Sequence, residues 1–140
     1  MAFEIHPKLL ADCVYIGELY LCEVLLMNDS RFPWIVLVPK AEGLRDFHDL
    51  PLEQRDDLYD EIEAASKTLK LYCDAHKLNV AALGNQVSQL HIHVIGRRTD
   101  DAAWPGPVWG SGEAVPYGVE ELESFSNELR TALAIGDEEN

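Results

Sequence analysis

Basic side chains are scarce in this sequence. Only 11 Lys and Arg stand against 25 Asp and Glu, a formal net charge of −14 over 140 residues. A surface of that sign repels a phosphate polymer and lacks the long-range attraction on which nonspecific nucleic-acid binders depend, so polymeric DNA or RNA is not expected as a partner. A small anion is still admissible where a few donors converge, and the place of every Arg and Lys therefore matters.

Cysteine is sparse too. Cys13, Cys22 and Cys73 form no CxxC pair and sit in apolar-patterned segments, which reads as buried, reduced thiols rather than a disulfide or a thiolate metal site. No apolar run approaches the roughly 18 residues needed to cross a bilayer, and no basic leader with an apolar core opens the chain. The expectation is a cytoplasmic protein, soluble and without a membrane partner.

The length is that of one domain able to bury a core unaided. The expected organisation is a single unit over 1–140: a core at roughly 14–98, a C-terminal loop and helix over 99–135, and a frayed acidic tail at 136–140.

Periodicity supplies the elements. VYIGELYLCEVLLMND, residues 14–29, reads as two extended pieces hinged near Gly17 and Glu18, and the apolar run from Trp34 to Val38, closed by Pro39, reads as a strand covered on both faces. From Leu52 to Ala75 the period changes: Leu58, Ile62, Ala65, Leu69 and Tyr72 form one stripe of a long amphipathic helix. Asp49, ahead of Pro51, is its expected cap. The opposite face, with Glu53, Asp56, Asp57, Asp60, Glu61 and Glu63, is expected to be solvated. Leu78–Leu83 and Leu90–Ile95 should form a hairpin turned at Gly84 and Asn85. Leu122, Phe125, Leu129 and Leu133 mark a C-terminal helix. The sum is an α+β chain: an antiparallel sheet of about five strands, with a long helix packed beside it and a second helix at the end.

The chemistry concentrates in QVSQLHIHVIGRR, residues 86–98. Strand side chains alternate faces, so Gln89, His91 and His93 should project one way and Leu90, Ile92 and Val94 the other. Three readings fit that spacing. The histidines decorate a solvated face; they chelate a metal, which needs a third ligand that Asp100 and Asp101 do not supply at any recognisable spacing; or one imidazole attacks phosphorus while its neighbour supplies a hydrogen bond.

QLHIHVIGR resembles the signature of the histidine triad family of nucleotide hydrolases and transferases, in particular its bacterial members similar to diadenosine tetraphosphate hydrolases. The order of elements resembles the family as well: a strand ending in Asn28, a strand reading IVLVPK, a long helix, a short strand, then the histidines. The resemblance implies a HIT-like α+β fold. It also implies that His91 is the nucleophile toward the α-phosphorus of a (di)nucleoside polyphosphate, and that His93 donates to a nonbridging oxygen. Gln89 takes the first triad position, where most members carry histidine. Glutamine cannot deliver a proton near neutral pH, so a leaving group that must be protonated should suffer most, and a reduced activity is expected.

Other positions carry over less sharply. Asn28 falls where the family holds ribose hydroxyls, and it equally suits a turn cap. Gln86 coincides with a polar phosphate contact, and Asn85 lies beside it in the turn. Arg97 and Arg98 offer charge to a phosphate or to Asp100 and Asp101, and Lys40 less so. Trp34 departs from the small residue and histidine often found ahead of LVP. WPGPVWG, residues 104–110, is expected to be a lid or a packed loop, with Trp104 as its candidate nucleotide contact. His6, His48 and His76 are expected to be ordinary surface or capping residues. The resemblance implies a homodimer and no required cofactor; Mg²⁺ would travel with a polyphosphate substrate. Two alternatives stay open: a nucleotide-binding sensor of weak or no turnover, and an enzyme using His91 and His93 as metal ligands.

Overall fold

All six residues of the strand Trp34–Pro39 (β3) are buried, as a continuous apolar run between two covered faces requires. The computed structural model in which this is seen describes residues 3–136; the last residues of the acidic tail, 137–140, lie outside the described residues. Two strands precede β3, Cys13–Glu18 (β1) and Cys22–Met27 (β2), and two follow it, Lys77–Ala81 (β4) and Ile92–Arg97 (β5). They form one antiparallel sheet in the order β1-β2-β3-β5-β4. The expected five-stranded α+β architecture is present.

Alternation along the strands splits the sheet into two faces. One face carries Val24, Leu26, Ile35, Leu37, Ile92 and Val94, packed under the long helix Leu52–Cys73 (α2) and the C-terminal helix Val119–Ala132 (α3). The strand glycine in IGRR belongs to this packing: a Cβ at Gly96 would lie 3.1 Å from Pro33 Cγ and 3.2 Å from Ala75 Cβ. The other face carries Leu25, Val36, Val38 and Ile95, together with Trp34, and is covered by Phe32, Val87, Val108 and Leu9. Leu9 lies on a short helix, Pro7–Asp12 (α1), that the sequence pattern did not signal. His91 and His93 belong to this second face.

Three local expectations are corrected. Glu61 is buried rather than solvated; its carboxylate accepts from the backbone N–H of Leu21 at 2.7 Å and of Cys22 at 2.9 Å, tying α2 to the β1–β2 turn. Tyr72 is exposed, because the buried line of α2 runs through Leu58, Ala65, Thr68 and Leu69. Asp49 does not cap α2, whose N-cap is Pro51; it closes a capping box on the 3-10 turn Phe47–Asp49. Among the described residues no helix is long and apolar enough to cross a membrane. The three thiols are free, with Cys22 buried and Cys13 and Cys73 half-buried.

Candidate functional site

The histidine hairpin is not tight. Strand β5 begins at Ile92 instead of Leu90, and the Leu90 N–H is spent on the Leu44 carbonyl at 2.9 Å. The segment between β4 and β5 is therefore an open loop, and Leu83 to Val87 form one wall of a cleft of about 300 Å³ whose floor holds His91 and His93. Asn85 and Gln86, singled out from the sequence, do line this cleft. An adjoining cavity of about 460 Å³ shares Asp12, Met27, Trp34 and Trp109 with it and extends to Asn28.

Both imidazoles are buried and lie with ring centroids 4.9 Å apart. The Nδ1 of His91 is 2.7 Å from the carbonyl oxygen of Gln89. A carbonyl only accepts, so Nδ1 carries the proton and the neutral ring leaves its Nε2 lone pair free. His93 has the opposite tautomer. Its Nδ1 accepts from the indole N–H of Trp34 at 2.9 Å; since that indole is a donor only, the proton of neutral His93 sits on Nε2. Burial, and then the neighbouring His91, push the His93 imidazole down to about 4, so it is neutral at physiological pH. One lone pair and one N–H thus stand side by side on one cleft floor, the pairing that nucleophilic attack with hydrogen-bond support requires.

Register explains the Trp34 contact. Trp34 pairs with Ile95 and Val36 with His93 across β3 and β5, and both residues 34 and 93 point to the second face. The sequence holds this information only once the β3–β5 pairing is known. Trp34 further packs edge-on against Trp109, at a centroid distance of 6.0 Å, and Trp109 against His93 at 5.1 Å. Trp109, rather than Trp104, is the indole of the WPGPVWG loop that lines the cleft.

Trp104 and Arg97 have another task. Arg97 is buried, and its guanidinium donates to both carboxylate oxygens of Asp101 at 2.7 and 3.0 Å and to Asn79 Oδ1 at 2.9 Å. It lies 5.6 Å from the ring centres of Phe32 and of Trp104. Burial pushes the Asp101 carboxyl up, but hydrogen bonds from Arg97 and from the N–H groups of Arg98, Ala103 and Trp104 outweigh it and hold the group at about 2. Arg97 is therefore the staple of the loop after β5, not a cleft residue. Arg98 is exposed and pairs with Asp100 and Asp74, and Lys40 pairs with Glu18.

Gln89 does not join the two histidines. Its Oε1 accepts from the His6 N–H at 2.9 Å and its Nε2 donates to the Glu4 carbonyl at 2.8 Å, so the amide is turned onto the N-terminal segment. His6, read as a surface or capping residue, caps α1: its Nδ1 accepts from the Lys8 N–H at 3.0 Å. Asn28 acts as a loop cap, its Oδ1 accepting from the Tyr117 N–H at 2.9 Å. Its neighbour Asp29 is buried, accepts from the Val115 N–H and pairs with Arg31, fixing the segment behind the second cavity. Among the described residues no group of three His, Cys, Asp or Glu side chains is placed to hold a metal ion, and the HxH metal reading gains no third ligand.

Comparison with known proteins meets this geometry from outside. The HIT domain model matches residues 9–100. A histidine triad protein from Marinobacter aquaeolei VT8 is 46% identical, with a TM-score of 0.93 over 96% of this chain and 98% of its own. Histidine triad proteins from Bradyrhizobium japonicum and Sinorhizobium meliloti 1021 are each 41% identical, with TM-scores of 0.92 and 0.90; the first alignment covers 95% of this chain and 99% of its own, the second 93% and 96%. A comparison with curated proteins finds no match. The fold agrees with these matches, and the chain belongs to the HIT domain family.

Proposed function

We propose that the protein is a nucleotide hydrolase that cleaves (di)nucleoside polyphosphates at the α-phosphorus through a nucleotidyl-His91 intermediate. The HIT family includes nucleotide-binding hydrolases, and the observation that carries the reading is the 2.7 Å bond from His91 Nδ1–H to the Gln89 carbonyl, which makes Nε2 the lone-pair nitrogen of the neutral ring on the cleft floor. That nitrogen attacks phosphorus, the bond to the bridging oxygen breaks, and its electron pair leaves on the departing polyphosphate. Water then attacks the same phosphorus, the N–P bond breaks, and the ring recovers its lone pair while a proton of the water passes to solvent. Nε2–H of His93 donates to a nonbridging oxygen in both steps.

Trp109 and Met27 offer apolar surface to a base, Gln86 and Asn85 donate to phosphate, and the free end of the Asn28 amide serves the ribose. These roles follow from cleft position. With the Gln89 amide committed to backbone, no acid from that residue meets the leaving group, which favours substrates whose leaving group departs as a stable anion. The mechanism calls for no cofactor; Mg²⁺ would enter with the substrate. A cytoplasmic site suits the free thiols. We extend the proposal to a homodimer, for which exposed Leu52, Tyr59 and Leu71 on α2 supply apolar surface.

Brief incubation with diadenosine tetraphosphate, acid-free digestion and mass spectrometry test the reading. An adenylyl group on His91 is expected. Tight binding with neither adduct nor turnover would establish the sensor instead, and an adduct at another residue would remove His91 from its role.

A further inference from the structure

The cleft contains a cation that nothing in the histidine strand announces. Lys8, on α1, lines the same cavity as His91 and His93, and it is the one Lys or Arg among the residues described on its walls. The arginines that the sequence placed next to the histidines are elsewhere, Arg97 inside its loop and Arg98 at the surface. Lys8 Nζ rests against Asp12 Oδ2 at 2.9 Å, with both side chains about half exposed. Such a surface pair is worth only ~0–1 kcal/mol, so an entering phosphate exchanges for Asp12 at little cost.

The backbone of Lys8 is held in place from the segment that leads into the histidine strand. The Gln89 amide makes two hydrogen bonds to the backbone of Glu4 and His6, in the manner of two rungs of a sheet ladder. His6 then caps α1 by accepting from the Lys8 N–H, Pro7 sits at the helix start, and buried Leu9 anchors the turn to the second face of the sheet. The residue at the first triad position is thereby two hydrogen bonds from the backbone N–H of Lys8.

Building on the hydrolase reading above, we propose that Lys8 is a leaving-group clamp for a polyphosphate, and that Gln89 is its positioning residue. When His91 Nε2 takes the α-phosphorus, the departing nucleoside polyphosphate gains one negative charge. The Lys8 ammonium donates to a nonbridging oxygen of that leaving phosphate chain and meets the charge without giving up its proton. An amide at position 89 gives up the acid function of a histidine and gains a tether for a cation. The specificity that results is for leaving groups rich in phosphate.

The test compares kcat/KM on diadenosine tetraphosphate with kcat/KM on the p-nitrophenyl ester of AMP, whose leaving group has no phosphate. Lys8→Met should lower the polyphosphate-to-ester ratio at least tenfold, Lys8→Arg should restore most of it, and Gln89→Ala should lower it in the same direction. Lys8 is exposed, so Lys8→Met is expected to fold, which circular dichroism checks. An unchanged ratio, or an equal loss on both substrates, overturns the clamp while leaving the hydrolase intact. Failure of the wild-type protein to cleave either substrate overturns the hydrolase and the clamp with it.

Discussion

The indole N–H of Trp34 donates to Nδ1 of His93 across 2.9 Å inside the second face of the sheet. That bond and the 2.7 Å bond from His91 to the Gln89 carbonyl give the two imidazoles opposite tautomers, one offering a lone pair and the other a proton. Each tautomer is set by a partner that can act in one sense only: an indole donates, a carbonyl accepts.

The His93 ring should stay neutral well into acid. Its folded pKa is about 4 against an ordinary value near 6.5, so the unfolded chain takes up the proton first. Stability is complete above about pH 6.5 and falls as the pH drops toward 4, by roughly 3 kcal/mol from this group. NMR of the His93 ring should show no titration from pH 8 to 5. In Trp34→Phe, which removes a bond that favours the neutral form, the midpoint should move up; a midpoint unchanged or lowered would mean that Trp34 does not set the tautomer.

Removing the proposed nucleophile should be decisive. His91→Ala is expected to lower turnover of diadenosine tetraphosphate by about a thousandfold or more while nucleotide binding persists. Single-turnover quench experiments check it, and residual turnover within tenfold of wild type would place the attacking group elsewhere.

Leaving-group chemistry yields a third expectation. An amine must be protonated to depart, whereas a polyphosphate leaves as an anion, and the Gln89 amide is engaged with Glu4 and His6. Diadenosine tetraphosphate should be cleaved at least tenfold more efficiently than adenosine phosphoramidate. Comparable kcat/KM values on the two would refute the preference.

Arg97 should matter for stability. Arg97→Met leaves the Asp101 carboxylate buried without its guanidinium, at a cost of roughly 3–5 kcal/mol in urea denaturation. Arg97→Met with Asp101→Leu should recover much of that loss. A single variant of wild-type stability but weak nucleotide binding would return Arg97 to the phosphate role its place after the histidines suggested.

The residue pattern alone carried a great deal. The unbroken apolar run over Trp34–Pro39, the three-and-four spacing of Leu58, Ile62, Ala65 and Leu69, and QLHIHVIGR are local features. Burial on one or both faces imposes them on contiguous residues, and they were sufficient for the α+β sheet, the long helix and the histidine pair. The pairing of distant groups was decided in three dimensions. Glu61 looks solvated until the β1–β2 turn brings two N–H groups to it, and Arg97 looks like a phosphate ligand until the chain folds Asp101 back upon it. The residues that complete the cleft, Lys8, Trp34 and Trp109, come from α1, β3 and the loop after β5. A hydrogen bond or a charge reports only what lies within a few ångströms, and sequence separation is silent about that distance until the sheet has set its register.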